Sequence, residues 1–402
     1  MNTHPVVIIG GGVAGLSAAL ALARRGHSIL LFERRMDALE AGAGLQLSPN
    51  ASHILIDWGL GPALAREAVA PTELAIRRWG EPRAYARMPL NEHAQTGATH
   101  APFWVTLRAD LHATLKAAAL REPLIEMRFG YELERLKDHG KTLQLSFNTS
   151  TGTIEITALC VIGADGQRSS LRRILGDARD LDTPGWEAWR TLIPADTTPD
   201  FIRAATTNLW LGRDSHAVHY PVAAGRLVNL VVIRKSANAE AGWNRPGDRA
   251  LLHPLIQKAA PTLRDLMQSA QDWSVWSLHD RATSPYFTKG AVALVGDAAH
   301  PFLPFLAQGA AMAIEDAAVL ADTLPLPNKI DRASLEAGLR VFVSKRAPRV
   351  REVFKAARSN SLSYHLPAPL AWLRDRRMAQ LGPNGMRKRY AWLYDWRLQT
   401  EK

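Results

Sequence analysis

The sequence predicts an α/β protein: a doubly wound, Rossmann-like domain that is discontinuous along the chain, a β-sheet domain inserted into it, and C-terminal helices. Three observations carry this reading. A β-branched run at 6–9, a glycine turn and a helical stretch at 13–25 open the chain, and strands that alternate with helices mark a doubly wound sheet. Two apolar runs far along, 159–162 and 291–295, each end in a glycine-containing acidic turn, as strands returning to one sheet do. Beyond Gly309 the pattern turns helical.

Residues 6–9 have the composition of a strand buried in a parallel sheet, and 13–25 mixes apolar and small residues at helical spacing. Residues 28–32 form the second strand. Between the returning strands, 210–211, 219–222 and 227–233 read as strands of a second sheet, with Gly212-Arg213-Asp214 and Ala224-Gly225 as turns. Helices follow at 310–320, roughly 332–359, and 370–378. The domains are therefore expected at 1–70, 101–175 and 285–330 for the discontinuous domain, 71–100 and 176–284 for the inserted one, and 331–402 for the helical end.

A chain of 402 residues that is 47% apolar buries a large core. No apolar run reaches the roughly 20 residues of a transmembrane helix, and the start lacks a basic region and a cleavage site. A cytoplasmic enzyme is the expectation. The single cysteine, Cys160, excludes an internal disulfide and a multi-cysteine metal site, and its apolar surroundings point to a buried structural thiol. The net charge of +11 resides at one end: from Arg340 onward there are 15 Lys or Arg against 4 Asp or Glu. Lys345, Arg346, Arg349, Arg351, Lys355 and Arg358 read as solvated faces of one long helix rather than as a nucleic-acid surface. The same charge would also attract anionic substrates or an acidic membrane surface.

In Gly10-Gly11-Gly12-Val13-Ala14-Gly15, the glycines at 10, 12 and 15 make a tight turn, admit a pyrophosphate to the backbone and permit close helix packing. The helix opened by Val13 and Ala14 turns its positive end toward the phosphates. Glu33, with Arg34 beside it, ends the second strand where a carboxylate accepts hydrogen bonds from a ribose. This motif alone does not separate FAD from NAD. Gly163-Ala164-Asp165-Gly166-Gln167-Arg168-Ser169 and Gly296-Asp297-Ala298-Ala299-His300-Pro301 make the distinction: Asp297 at a strand end suits a sugar-alcohol hydroxyl, and the small residues beside it admit a flat ring.

Together these segments resemble the single-component FAD-dependent aromatic hydroxylases of the para-hydroxybenzoate hydroxylase fold. The resemblance runs to the salicylate hydroxylase, 3-hydroxybenzoate 6-hydroxylase and 6-hydroxynicotinate 3-monooxygenase branch. Gly42-Ala43-Gly44-Leu45-Gln46-Leu47-Ser48-Pro49-Asn50 is similar to its flavin-side loop, and Leu107-Arg108-Ala109-Asp110-Leu111 to its helix start with an FAD-contacting arginine, Arg108. Pro301 to Gly309, which holds Pro304 and Gln308, resembles the loop beside the isoalloxazine. Tyr390-Ala391-Trp392-Leu393-Tyr394-Asp395-Trp396 continues the likeness. Trp186, Trp189 and Ile193-Pro194 do not have the spacing of a flavin-dependent halogenase signature. No second glycine fingerprint holds a resident nicotinamide, so NADH or NADPH is expected as a transient co-substrate.

The resemblance implies FAD-dependent hydroxylation of a phenolic or hydroxylated aromatic acid with O2, through a flavin C4a-hydroperoxide. Such chemistry needs a base at the substrate hydroxyl and a dry pocket. In His216-Ala217-Val218-His219-Tyr220-Pro221, a strand would put His216, Val218 and Tyr220 on one face and His219 on the other. His216 is the expected base, with Tyr220 packing against or orienting the substrate and Gln308 donating to substrate or flavin. The nicotinate enzyme has histidines where this chain has Gln46 and Gln308, which disfavours a nicotinate. Arg190 is available as a carboxylate clamp or for a structural salt bridge. His300 is expected to be structural. The alternatives are a hydroxylase or epoxidase of a larger natural-product or lipid-like ring and a non-enzymatic flavin-binding protein. Hydroxylases of this type are often homodimers.

Overall fold

The computed structural model describes residues 6–36, 43–91, 101–236, 245–281 and 287–399. Gly42 of the flavin-side motif lies outside them. The first sheet has six strands in the order Thr288–Lys289, Val292–Leu294, Cys160–Gly163, Val6–Ile9, Ile29–Glu33 and Ile125–Phe129. All neighbours are parallel except the first pair. Every residue of Val6–Ile9 is buried, because helices cover one face of this parallel sheet and a three-stranded sheet of Glu132–Asp138, Leu143–Thr149 and Gly152–Ala158 packs on the other, with Phe147 stacked on Phe32 at 4.2 Å; this is why the run is β-branched throughout. Val6 pairs with Cys160 and Val161 with Val292, so three segments far apart in sequence meet side by side. The Cys160 thiol is fully buried, which pushes it up to about 12.

Helix Val13–Ala23 is buried along almost its whole length and packs on Gly309–Thr323 and Arg108–Arg121. Its alanines let the backbones approach, and burial of Leu16 and Leu22 contributes roughly 1.5–3 kcal/mol each.

The second sheet has eight strands in the order Arg245–Pro246, Ser274–Asp280, Asp182–Pro194, Leu227–Lys235, Ser215–Val222, Thr206–Gly212, Glu73–Arg78 and Ala84–Pro89. Thr206–Gly212 and Glu73–Arg78 are parallel and the other pairs antiparallel. One face carries Trp189 and Trp210 into a core completed by Trp273 and by helices His253–Lys258 and Pro261–Ser269. The opposite face looks toward the first sheet.

The long helix Arg332–Tyr364 starts at a capping box: Ser334 N–H donates to Asp331 Oδ1 at 2.7 Å, and Asp331 N–H to Ser334 Oγ at 3.0 Å. The next helix, Ala368–Arg389, begins and ends beyond the expected 370–378. Pro367 serves as its N-cap, and Gly382, at φ 63°, breaks its course.

One expectation for the basic helix is corrected. Arg346 and Arg349 are buried rather than solvated, because they face Glu315 and Asp316 on Gly309–Thr323. Among the described residues no helix is long and apolar enough to cross a membrane.

Candidate active site

A cavity of about 470 Å³ runs from the glycine turn, between the two sheets, to the inner face of the second. At its first end, Gly10 adopts φ +106°, where a side chain would meet the Ala164 carbonyl, and its N–H donates to Phe32 O at 2.7 Å. A Cβ on Gly15 would overlap the Gly10 carbonyl oxygen, so Gly15 permits the helix to sit against the turn. Gly12 differs: a Cβ there meets nothing within 4 Å. It caps Val13–Ala23 with no side-chain hydrogen bond, which leaves the first N–H groups of the helix available to an anion.

Glu33 lines the same end. Gly11 N–H donates to its Oε2 at 2.7 Å and Arg35 N–H to its Oε1 at 2.9 Å, fixing the carboxylate at the strand end. Arg34 lines the cavity too, 4.0 Å from the exposed Glu132. His112, whose ring lies 2.8 Å from Gly11 O, braces the turn from Arg108–Arg121. Nothing local in the sequence marks it, since the partner lies 101 residues away.

Along the middle, Asp165 and Asp297 sit on turns at the ends of adjacent strands. Leu171 N–H donates to Asp165 Oδ2 at 3.0 Å, whereas the buried Oδ1 has no partner among the described residues. Burial raises the affinity of both carboxylates for a proton, and Arg108 and His300 oppose this at Asp297. Arg108, at the start of its helix, also lines the cavity. Gln46 and Gly44 come from the short strand Gly44–Leu47, and Gly44 N–H donates to Asn229 Oδ1 at 2.9 Å, joining this loop to the second sheet. Pro304 opens a tight turn that ends with Ala307 in the left-handed region at φ 52°, and Gly309 begins the following helix.

The far end is the inner face of the second sheet. His216, Val218 and Tyr220 of Ser215–Val222 line the cavity, while His219 turns to the other face and stacks on Trp210. This is the alternation of a strand. Tyr220 is buried and hydrogen-bonded with Gln46, and burial pushes its hydroxyl well above the ordinary phenol range. Arg190 projects into the same end from Asp182–Pro194, its guanidinium 4.6 Å over the Trp276 ring. Its Nε has no hydrogen-bond partner among the described residues. Burial pulls it down to about 10, so it stays cationic at neutral pH.

The His216 ring lies among Phe305, Tyr364 and His365, with its Nδ1 3.0 Å from His365 Nε2. Burial, and after it the repulsion that a protonated His365 would exert, holds its pKa well below 6.5 and keeps it neutral. His365 is a participant that sequence reading missed, because 149 residues separate it from His216.

Gln308 stands apart from the cavity lining. Its Nε2 donates to Ser48 Oγ at 2.9 Å and its Oε1 accepts from Asn50 Nδ2 at 3.1 Å. Asn50 also donates to Glu315 Oε1 at 2.6 Å. Glu315 accepts from Arg346 and Arg349, and Asp316 accepts from Arg346, from His300 Nε2 at 2.6 Å and from Gly296 N–H at 2.8 Å. Gln308 and His300 thus belong to one buried polar network behind the cavity wall.

The chain resembles proteins of related chemistry over nearly its whole length. The family described as "FAD binding domain" matches residues 3–357. A 3-amino-4-hydroxybenzoate 2-monooxygenase of Streptomyces platensis is 34% identical over 98% of this chain and 96% of its own. The 3-hydroxybenzoate 6-hydroxylase 1 of Aquipseudomonas alcaligenes is 32% identical over 97% of both chains. In fold, the structure of a salicylate hydroxylase substrate complex aligns with a TM-score of 0.80 at 23% identity, covering 98% of this chain and 96% of that one.

Proposed function

This chain belongs to the FAD binding domain family of flavin-dependent monooxygenases, and from that premise we propose that it hydroxylates a phenolic aromatic carboxylic acid with NAD(P)H and O2. The observation that carries the proposal is the continuity of one cavity from the glycine turn to the wall holding His216, Tyr220 and Arg190.

The residues present fit FAD. Open space above Gly12, an uncapped helix start and the unpartnered Oδ1 of Asp165 are what an extended dinucleotide needs at its phosphates and polar groups. Gly10, Gly12, Val13, Ala14 and Gly15 would hold the pyrophosphate; Glu33 and Arg34 the adenosine end; Arg108, Asp165 and Asp297 the middle. Gln46, Pro304 and Gly309 would border the ring. Bound FAD, reduced by NADH or NADPH, supplies the oxidising equivalent drawn from O2.

The chain's own residues do the rest. His216 takes the substrate's hydroxyl proton, which makes the ring electron-rich, and Tyr220, tied to Gln46, orients that hydroxyl. Arg190, cationic and with an unmet donor, fits the substrate carboxylate better than a structural ion pair, since none forms among the described residues. Gln308 acts indirectly, by fixing the loop beside Pro304. The buried aromatic surroundings of His216 exclude water. Dependence on NAD(P)H fits a cytoplasmic setting, and a homodimer is the assembly we expect.

The test is NAD(P)H oxidation by the FAD-loaded protein against hydroxybenzoates, hydroxynicotinates and simple phenols, with peroxide measured alongside. Stimulation without peroxide by a carboxylated phenol is the expected result. Stimulation confined to rings lacking a carboxylate, or none across the panel, would refute the proposal.

A further inference from the structure

The hydrogen bonds around His216 fix where its protons sit. His365 Nδ1 lies 2.7 Å from the Ser361 carbonyl oxygen. A carbonyl only accepts, so this nitrogen carries the hydrogen. In a neutral ring the other nitrogen, Nε2, is then an acceptor, and its partner 3.0 Å away, His216 Nδ1, is the donor. The hydrogen of neutral His216 is thereby placed on Nδ1. Its Nε2 is bare, has no hydrogen-bond partner among the described residues, and belongs to a ring that lines the cavity. The base that the proposed function requires is presented in the one tautomer able to act there.

Capturing a proton turns the pair of rings into a cation, and the two rings differ in how well they hold it. His216 is 2% exposed, and a charge confined to it would be poorly solvated. His365 is half-buried at the C-cap of Arg332–Tyr364, where helix carbonyls favour a cation. Its ring stacks on Trp186 at 4.2 Å and meets Phe305 and Tyr364 edge-on. Burial pulls His365 down to about 4, so the ring rests neutral; the Ser361 carbonyl and Asp214 favour its cation, Arg374 and Lys235 oppose it, and the fully buried His216 is the poorer holder of the charge.

We propose that His216 and His365 form a two-ring proton relay that carries the substrate's hydroxyl proton out of the cavity. The proton binds His216 Nε2, the Nδ1 hydrogen of His216 passes to His365 Nε2, and the positive charge comes to rest on the outer ring, which keeps its hydrogen on the Ser361 carbonyl. No electrons move, and the same path run backward returns a proton to the product. The inference rests on the reading of His216 as base, and it makes His365 a positioning and relay residue that does not touch substrate.

The experiment uses FAD-loaded protein with 3-hydroxy-4-nitrobenzoate, whose phenolate is visible by difference absorbance, and benzoate as a ligand without a proton to lose. His365→Gln keeps an acceptor for His216 but holds no proton; His365→Phe keeps only the stacking. Both variants should bind benzoate as wild type does, and both should raise the pH at which the bound nitrophenol ionises, slowing its deprotonation about tenfold or more. Histidine 15N spectra of the ligand-free holoenzyme should show both rings of the wild type carrying hydrogen on Nδ1. The relay is overturned if His365→Gln ionises the probe as wild type does, if the probe binds without ionising in wild type, or if His216 carries its hydrogen on Nε2. Should His365→Phe fail to fold, the glutamine variant and the spectra decide. A His216→Ala protein that ionises the probe normally would instead remove the underlying base assignment.

Discussion

Replacing Gly12 and Gly15 separately with alanine distinguishes a ligand cradle from a merely tight turn, because the structure assigns the two glycines opposite surroundings. At Gly12, φ is −77° and an added Cβ meets no protein atom within 4 Å. Alanine suits that backbone and gains about 0.4–1 kcal/mol by restricting the unfolded chain. It loses a similar amount, about 0.5–1 kcal/mol, as a poorer N-cap. Protein stability should therefore change by less than about 0.5 kcal/mol, within the balance of those two effects.

What the methyl does occupy is the space where a pyrophosphate would meet the backbone. FAD affinity should fall at least about tenfold, equivalent to about 1.4 kcal/mol. At Gly15 the added methyl overlaps the Gly10 carbonyl, so Gly15→Ala should cost about 1–3 kcal/mol of stability by overpacking. The assays are a urea midpoint on deflavinated protein and an FAD titration followed by flavin fluorescence. If Gly12→Ala bound FAD within twofold of wild type, or lost as much stability as Gly15→Ala, the placement of the pyrophosphate would be wrong.

Three further outcomes are expected. His216→Ala should leave FAD bound while coupled hydroxylation falls by roughly 10²-fold or more, the usual loss for a general base; product and peroxide measured together check this. Arg190→Met should raise KM for a carboxylated phenol about 10–100-fold, the worth of a hydrogen bond to a charged group, with little change in kcat and little effect on a simple phenol. Arg346→Met should destabilise the protein by about 3–5 kcal/mol, since it strips a cation from buried Glu315 and Asp316. Asp316 is held below its ordinary value by His300 and Arg346 against the cost of burial. A depressed carboxylate stabilises the fold above its unfolded value near 3.9 and loses that contribution as pH falls through the folded one. The variant should therefore acid-unfold at higher pH than wild type, which a circular-dichroism titration would reveal.

The parts legible in the sequence are those whose cause is local. Val6–Ile9, Val13–Ala23 and Ile29–Glu33 fall within two residues of the expected bounds, because buried strands and a glycine-opened helix carry their own pattern. Glu132–Asp138 has no such signature. Its run of acidic and basic residues looks helical alone and is extended only because Leu143–Thr149 pairs with it. The face carrying His216 and Tyr220 follows from strand alternation. Arg346 and Arg349 instead have the periodicity of an exposed basic face, and the carboxylates that bury them lie on another helix. The loop of Gln308 places it beside the cavity, but the direction of its amide depends on Ser48 and Asn50, some 260 residues earlier. His365 ends a helix with no motif around it.

The buried network behind the cavity also has a consequence in time. Glu315 and Asp316 are synthesised well before their cations, with Arg346 30 residues after Asp316 and Arg349 34 after Glu315. Arg349 in turn donates to the carbonyls of Trp392 and Leu393, more than 40 residues further on. Two carboxylates so deeply placed stay hydrated until those guanidinium groups arrive. On the ribosome, the wall that supports the Pro304 loop is completed only once residues 392 and 393 have been made, well after Ala313, the last residue that lines the cavity.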